Sequence, residues 1–302
     1  MKRVLKWIGI VLGSLVVLVG LTAVILHFVG QSRLEAAPDV TTRPVTVPTD
    51  AAAIARGEHL ANSVSLCAGC HGENFAGDVL IDGEIGVYVA APNLTAGRGG
   101  VGATLSDADW EQAIRHGVGG DGRTLIIMPS SFYSHYSDED MGALIAYFKQ
   151  LPAVDSDLEP RRVGFPGTIL GGVVAYADFT HVGRIEHEQV GMMAMPVEGT
   201  TAEYGEYLSY IGVCRECHAA NFAGSFTPDG PPMGPNLTPG GELQGWTEAD
   251  FVTLIRTGVK PTGTQVNAEE MPWEMYSGMT DGELQALWAY LQSLPALPNN
   301  PE

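Results

Sequence analysis

Apolar residues run along this chain in two different ways. From residue 7 to residue 30 they form one block: Trp7-Ile-Gly-Ile-Val-Leu-Gly and onward, with no Asp, Glu, Lys or Arg. That is longer than the about 20 residues a helix needs to cross hydrocarbon. Further on they turn periodic. Met141, Leu144, Ile145 and Phe148 fall at i, i+3, i+4 and i+7, and Leu284, Leu287, Trp288 and Leu291 repeat the spacing. Each set is one face of a helix. These helices open on Ser137-x-x-Asp140 and Thr280-x-x-Glu283 and stop before Pro152 and Pro295. Earlier helices open on Ser106-x-x-Asp109 and Thr247-x-x-Asp250, the spacing of a capping box. A further helix is expected over about residues 51–66, with a counterpart starting near Thr201. The Gly- and Pro-rich stretches 97–102 and 228–241 read as loops.

The two periodic halves are one pattern written twice. Gly57-Glu58-His59-Leu60 matches Gly205-Glu206-Tyr207-Leu208, and Asn74-Phe75-Ala76-Gly77 matches Asn221-Phe222-Ala223-Gly224. Pro92-Asn93-Leu94-Thr95 matches Pro235-Asn236-Leu237-Thr238, and Met128-Pro129 matches Met271-Pro272. Each unit runs to about a hundred residues, so this is a duplicated domain rather than an array of 20–50-residue repeats. The expected order is a membrane anchor at 1–30, a proline-containing tether at 31–50, domain one at 51–152, an unmatched insert at 153–200, and domain two at 201–302. The tether can either hold the domains off the bilayer or lie along the first of them. The insert carries an apolar stretch at 168–176, too short to span a membrane, and is expected to pack against the domains and set their separation.

The block at 7–30 is too long for the 7–15-residue core of a signal peptide, so an uncleaved anchor is expected. Lys2, Arg3 and Lys6 precede it, which places the N-terminus in the cytoplasm and the rest outside. The net charge of −19 excludes nucleic acid as a partner, because phosphate contacts need Lys and Arg. The acidity is concentrated in domain two: residues 201–302 carry three basic and thirteen acidic side chains.

The strongest chemical signal sits inside the repeat. Cys67-Ala68-Gly69-Cys70-His71 and Cys214-Arg215-Glu216-Cys217-His218 use all four cysteines of the chain. Cys-x-x-Cys-His is the attachment signature of c-type haem. Two thiols at this spacing reach the two vinyl groups of one porphyrin, and the adjoining histidine lies under the iron. A redox dithiol or a zinc site also uses Cys-x-x-Cys, but neither requires a histidine directly after it.

The order of haem motif, Pro-Asn-Leu, amphipathic helix, Met-Pro and final helix ending in Leu-Pro resembles class I cytochrome c domains. A pair of them resembles dihaem cytochromes c, including the cytochrome subunits of membrane-bound alcohol, aldehyde and gluconate dehydrogenases. Those subunits typically carry three haem motifs, and this chain has two. The resemblance implies a mainly α fold: two tandem class I cytochrome c-like domains behind an N-terminal transmembrane helix. It implies two haems c, bound through Cys67, Cys70, Cys214 and Cys217, with His71 and His218 as axial ligands. It also implies that the carbonyls of Pro92 and Pro235 accept a hydrogen bond from those histidines. Met128 and Met271 hold equivalent places before the last helix and are the expected sixth ligands, since methionine is the usual partner of histidine in such cytochromes. His135 in domain one, and Met275 and Met279 in domain two, are rivals; Met233 lies too near Pro235. Arg115 and Arg256 are candidates to neutralise haem propionates or are surface charges. The function implied is electron transfer at the outer face of the cytoplasmic membrane, as an electron carrier rather than an enzyme, with redox proteins or a larger membrane oxidoreductase complex as partners. The alternative is a dihaem peroxidase-like enzyme.

Overall fold

The computed structural model describes residues 2–83, 86–225 and 234–301. The apolar block forms most of α1 (Lys2–Glu35), the one helix among the described residues long and apolar enough to cross a membrane. α1 runs five residues into the stretch read as tether. The reason is Leu34, which is buried in a small core with Val87, Val89 and Ile126. Beyond it the chain has no helix or strand as far as Thr49, but it is no spacer. The Ala37 N–H donates to the Gly122 carbonyl at 3.0 Å, and Val45 and Val47 pack on the main core. The chain crosses Gly142 so closely that a Cβ there would strike the Thr46 carbonyl.

Both halves use the same series of helices. In the first they are α2 (Ala51–His59), α3 (Cys67–His71), α4 (Asp107–His116), α5 (Ser130–Tyr133) and α6 (Asp138–Phe148). The helix expected to reach residue 66 instead ends at His59 and continues as a π-helical turn, Leu60–Val64. Between α3 and α4 lies a hairpin with no counterpart among the described residues of the second half: β1 (Asp78–Asp82) and β2 (Val87–Ala91), antiparallel. β3 (Arg162–Val163), from the insert, completes the sheet beside β2. Periodicity did not predict it, because β2 is covered on both faces and shows no polar alternation.

The insert continues as α7 (Gly167–Ile169), a π-helical turn (Leu170–Val174) and α8 (Tyr176–Thr180). Helices α9 (Ala202–Ile211), α10 (Cys214–His218), α11 (Glu248–Thr257), α12 (Trp273–Tyr276) and α13 (Asp281–Ser293) form the second half. Residues 228–233 of the loop at 228–241, with Met233, lie outside the described residues.

Reciprocal capping boxes form at Ser106/Asp109, Thr247/Asp250 and Thr280/Glu283. At α6 the exchange is one-way. Ser137 accepts from the Asp140 N–H, while the Asp140 carboxylate is taken by Arg56 and Tyr207.

In each half the first helix crosses the last over a glycine. A Cβ on Gly57 would run into the Ala143 carbonyl and the Tyr147 Cβ; on Gly205 it would meet Ala286 and Tyr290 in the same way. Alanine usually favours a helix over glycine by about 1 kcal/mol, but here overpacking of about 1–3 kcal/mol opposes it. Gly57→Ala and Gly205→Ala are therefore expected to lower the melting temperature. Gly199→Ala, with open space around it, is expected to leave it unchanged.

One core runs through both halves, joining Leu60, Tyr136 and Met141 to Tyr207, Ile211 and Tyr276. The halves touch directly: a Cβ on Gly278 would strike Ser63, and one on Gly69 would lie 2.8 Å from the Met275 Sδ. The expectation that the insert sets their separation is thus corrected. The insert lies to the side, packed on the end of α1, where no Cβ would fit on Gly30 against Thr168 or on Gly172 against Gly30.

Candidate haem sites

Each Cys-x-x-Cys-His stretch is a single helical turn held between unusual backbone conformations. Leu66 and Val213, just before the first cysteines, have φ of 56° and 58°, uncommon for any side chain and most so for a β-branched one. Phe75 and Phe222 repeat the feature at 56° and 58°, and Gly72 and Ala219 at 77° and 65°. Strain of this sort persists only where surroundings over-determine it. Here Tyr133 donates to the Ser65 carbonyl, and Tyr276 donates to the Gly212 carbonyl at 2.7 Å. Both tyrosines are buried and sit five residues past the Met-Pro methionine. They tie the methionine loop to the cysteine turn in each half. Their signal lies in the repeat: Met-Pro-x-x-x-Tyr occurs in both halves.

The four cysteines are unpaired. Among the described residues no three His, Cys, Asp or Glu side chains stand as a metal-holding group, so the two pairs do not converge into one tetrathiolate zinc site. Burial, helped by Cys70, pushes the Cys67 thiol up to about 12. Burial pushes Cys214 up to about 12 as well, against the opposing pull of Arg215. Such thiols stay protonated, unlike the lowered thiols of redox dithiols.

His71 and His218 are 7% and 6% exposed. The His71 Nδ1–H donates to the Pro92 carbonyl at 2.8 Å, and the His218 Nδ1–H donates to the Pro235 carbonyl at 2.9 Å. An Asn brace aims each carbonyl. Asn93 donates to the Val154 carbonyl at 2.7 Å and accepts from the Thr95 N–H at 2.8 Å. Asn236 does the same with Leu297 and Thr238, at 2.9 Å each. Burial lowers the pKa of both histidines, opposed by the bond to the proline. The result is a neutral imidazole with its tautomer set and, among the described residues, no hydrogen-bond partner at Nε2, which suits an axial metal ligand.

Met128 and Met271 are half-buried and pack on the core ahead of α5 and α12. The rivals are engaged elsewhere. The His135 ring lies flat on Tyr210 of the second half, centroids 3.9 Å apart. Met275 reaches across to Gly69 of the first motif, and Met279 is buried in the core. Of the two repeated arginines only Arg256, with its side chain 30% exposed, keeps a surface position. Arg115 is fully buried and donates to the Tyr136 carbonyl and Asp138, at 2.7 and 2.8 Å. Arg256 donates to the Ser277 carbonyl, and to Asp281 at 2.8 Å. Both pin the start of the last helix.

Residues 52–148 and 200–291 match the family model described as cytochrome C oxidase, cbb3-type, subunit III. The chain belongs to this family. The two matched stretches are its two cytochrome c domains, and such domains carry covalently bound haem c. The chain is 29% identical over 286 residues to the cytochrome c subunit of alcohol dehydrogenase (quinone) from Gluconacetobacter polyoxogenes, covering 84% of this chain and 58% of that one. It is 28% identical over 295 residues to the fructose dehydrogenase cytochrome subunit of Gluconobacter japonicus, covering 87% and 57%. It is also 28% identical over 271 residues to a diheme cytochrome c-type protein of Cereibacter sphaeroides, covering 76% and 82%. The chain thus spans less than two thirds of the first two relatives.

Proposed function

We propose that this protein is an electron carrier with two haems c, passing single electrons between redox proteins at the outer face of the cytoplasmic membrane. Cys67 and Cys70 would bind one haem, with His71 and Met128 as axial ligands; Cys214 and Cys217 would bind the other, with His218 and Met271. The observation that carries this reading is the matched histidine geometry: each Nδ1–H is given to a proline carbonyl, and among the described residues nothing bonds either Nε2. When bound, each haem supplies a one-electron Fe(III)/Fe(II) couple whose potential its ligands and surroundings set. The chain's own residues do the rest. The proline bonds raise the basicity of the histidines. Tyr133 and Tyr276 hold the methionine loops against the cysteine turns. The direct packing of Met275 on Gly69 brings domain two onto the first motif, which supports electron passage between the domains. Were His71 and Met128, and His218 and Met271, to hold the two haems, the chain would leave no open iron position for a substrate, which favours a carrier over a peroxidase-like enzyme.

The relatives named above as cytochrome subunits of dehydrogenases support a place in a larger membrane oxidoreductase complex. The uncharged run of α1 from Trp7 to Gly30, preceded by Lys2, Arg3 and Lys6, supports a single-pass anchor with the N-terminus inside.

Met128→Ala and Met271→Ala test the reading singly. Each is expected to lower the potential of one haem and leave the other in place, because methionine ligation raises potential. A fall on the order of 100 mV lies well within the roughly 0.8 V that axial ligands span. Each should also remove half of the weak red absorption that marks methionine sulfur on ferric haem, and open that iron to cyanide. Unchanged titrations and spectra in both variants would overturn the ligand assignment.

A further inference from the structure

We propose that the insert around residues 165–179, with the β1–β2 hairpin, makes a second contact with the membrane. It dips into the outer leaflet and takes a phospholipid acyl chain into the cavity between them. This rests on α1 being the membrane anchor and goes beyond it.

The cavity measures about 690 Å³ and is lined by Leu80, Ile81, Val87, Leu170, Val174 and Phe179, among others. That volume lies within the about 300–1,000 Å³ range of small-molecule sites. Its neighbourhood is apolar on the outside too: Phe165, Leu170 and Val174 are 61%, 47% and 73% exposed. A contiguous apolar surface of this kind marks an interaction site.

Its place along α1 says what it meets. The positions of α1 that the rest of the protein covers are Ala23, Leu26, His27, Gly30 and Leu34, one helical face. His27 Nδ1 lies 2.6 Å from the Thr168 Oγ1, and its ring meets Phe165 edge-on. Four of these five positions fall inside the uncharged run. From Ala23 to Gly30 is about 10 Å of helix. If about 20 residues from Trp7 fill the hydrocarbon, the insert grips α1 at and just above its outer boundary. Elements at that level lie about 5–10 Å into the headgroup and acyl boundary.

The polar collar agrees. The Arg33 guanidinium lies 5.5 Å from the Tyr176 ring centre and that of Arg162 5.3 Å from Tyr88. Arg161 donates to the Leu34 carbonyl at 2.8 Å, and Arg123 pairs with Glu35 at 3.5 Å. Glu35, Asp121, Glu159 and the rim residue Asp82 balance these four arginines. In a chain of net charge −19, these four arginines gathered at the end of α1 lessen its repulsion from an anionic bilayer. Tyrosine also favours the headgroup level.

The test uses the full-length haem-loaded protein in nanodiscs of phosphatidylcholine with a diazirine near the end of one acyl chain. After photolysis and digestion, mass spectrometry should find label on the insert and on β1–β2 as well as on α1. The Leu170→Asp/Val174→Asp variant changes two exposed side chains and should keep its haem content and its α1 label. Its label at the insert should fall severalfold. Label confined to α1 would overturn the proposal. So would label at the insert that excess short-chain quinone displaces, since the cavity would then be a quinone site. An unlabelled α1 would instead sink the anchor reading, and this proposal with it.

Discussion

A chain with Cys214 and Cys217 both replaced by alanine is expected to carry one covalent haem where the native chain carries two. The signal that survives denaturation should fall to about half, and mass spectrometry should show one fewer haem per chain. Loss is expected to be confined to domain two, because each domain holds its own histidine, proline, methionine and tyrosine. The Cys67→Ala/Cys70→Ala pair should have the wider effect. Domain one supports the hairpin, the insert and the end of α1, and its cysteine turn carries Gly69, on which Met275 of domain two rests. Both pairs need a haemochrome assay per chain and a melting curve. Native protein with bare thiols, or either variant still holding two haems, would end the haem reading altogether.

The second large effect is expected at the domain interface. Arg56, on α2, donates to Asp140 at 2.9 and 3.0 Å and to Glu283 of domain two at 3.1 Å. His59 donates to the same Glu283 at 2.7 Å, and Tyr207 of domain two donates to Asp140 at 2.7 Å. The carboxylate side chains are only 2% and 4% exposed. Removing one partner from a buried ion cluster leaves uncompensated charge and costs about 3–5 kcal/mol. Arg56→Ala should therefore lower the melting temperature far more than a surface Arg→Ala, and added salt should not mimic it. Replacing Arg56, Asp140 and Glu283 together by apolar residues should recover much of the loss, because well-packed apolar substitutes for buried ion groups are often neutral or stabilising.

The same cluster sets an acid limit. Burial alone would raise the Glu283 carboxyl, but the His59 and Thr280 hydrogen bonds and the charges of His59 and Arg56 hold it down at about 2. A depressed folded value means that the stabilisation is complete above the ordinary glutamate value, about 4.3, and fades as pH falls toward 2. In Arg56→Ala the carboxyl should titrate at higher pH, so acid unfolding should begin earlier. Unfolding curves from pH 7 to pH 2 that coincide with those of the native protein would refute this account of the interface.

Much of the candidate site is legible without a structure because it is local. Cys-x-x-Cys-His needs only one helical turn, the duplicated Pro-Asn-Leu motif marks the hydrogen-bond partner of each histidine by equivalence, and the duplicated Met-Pro motif marks the proposed sixth ligands. The final helices are legible for a like reason: their caps and apolar stripes lie within a dozen residues. The positive-φ residues are not. Nothing local in Leu66 or Val213 favours a left-handed backbone; buried tyrosines from the methionine loop hold the turn beside them. The partners of Arg115 and Arg256 are hidden for a related reason. A repeated arginine signals a repeated role, but only its neighbours in space say which carbonyl and carboxylate it meets.

The sequence by itself determined that there are two equivalent cytochrome c domains behind one apolar helix, and which side chains are available for the iron chemistry of each. Helical period, capping and motif spacing act over a few residues, so they are readable along a line. The tertiary structure alone decided that the domains share one core and are locked through Arg56, and that the expected tether lies flat on domain one. It alone seats the insert on the end of α1. These are contacts between residues up to 227 positions apart, and no local preference encodes which distant surfaces bury each other.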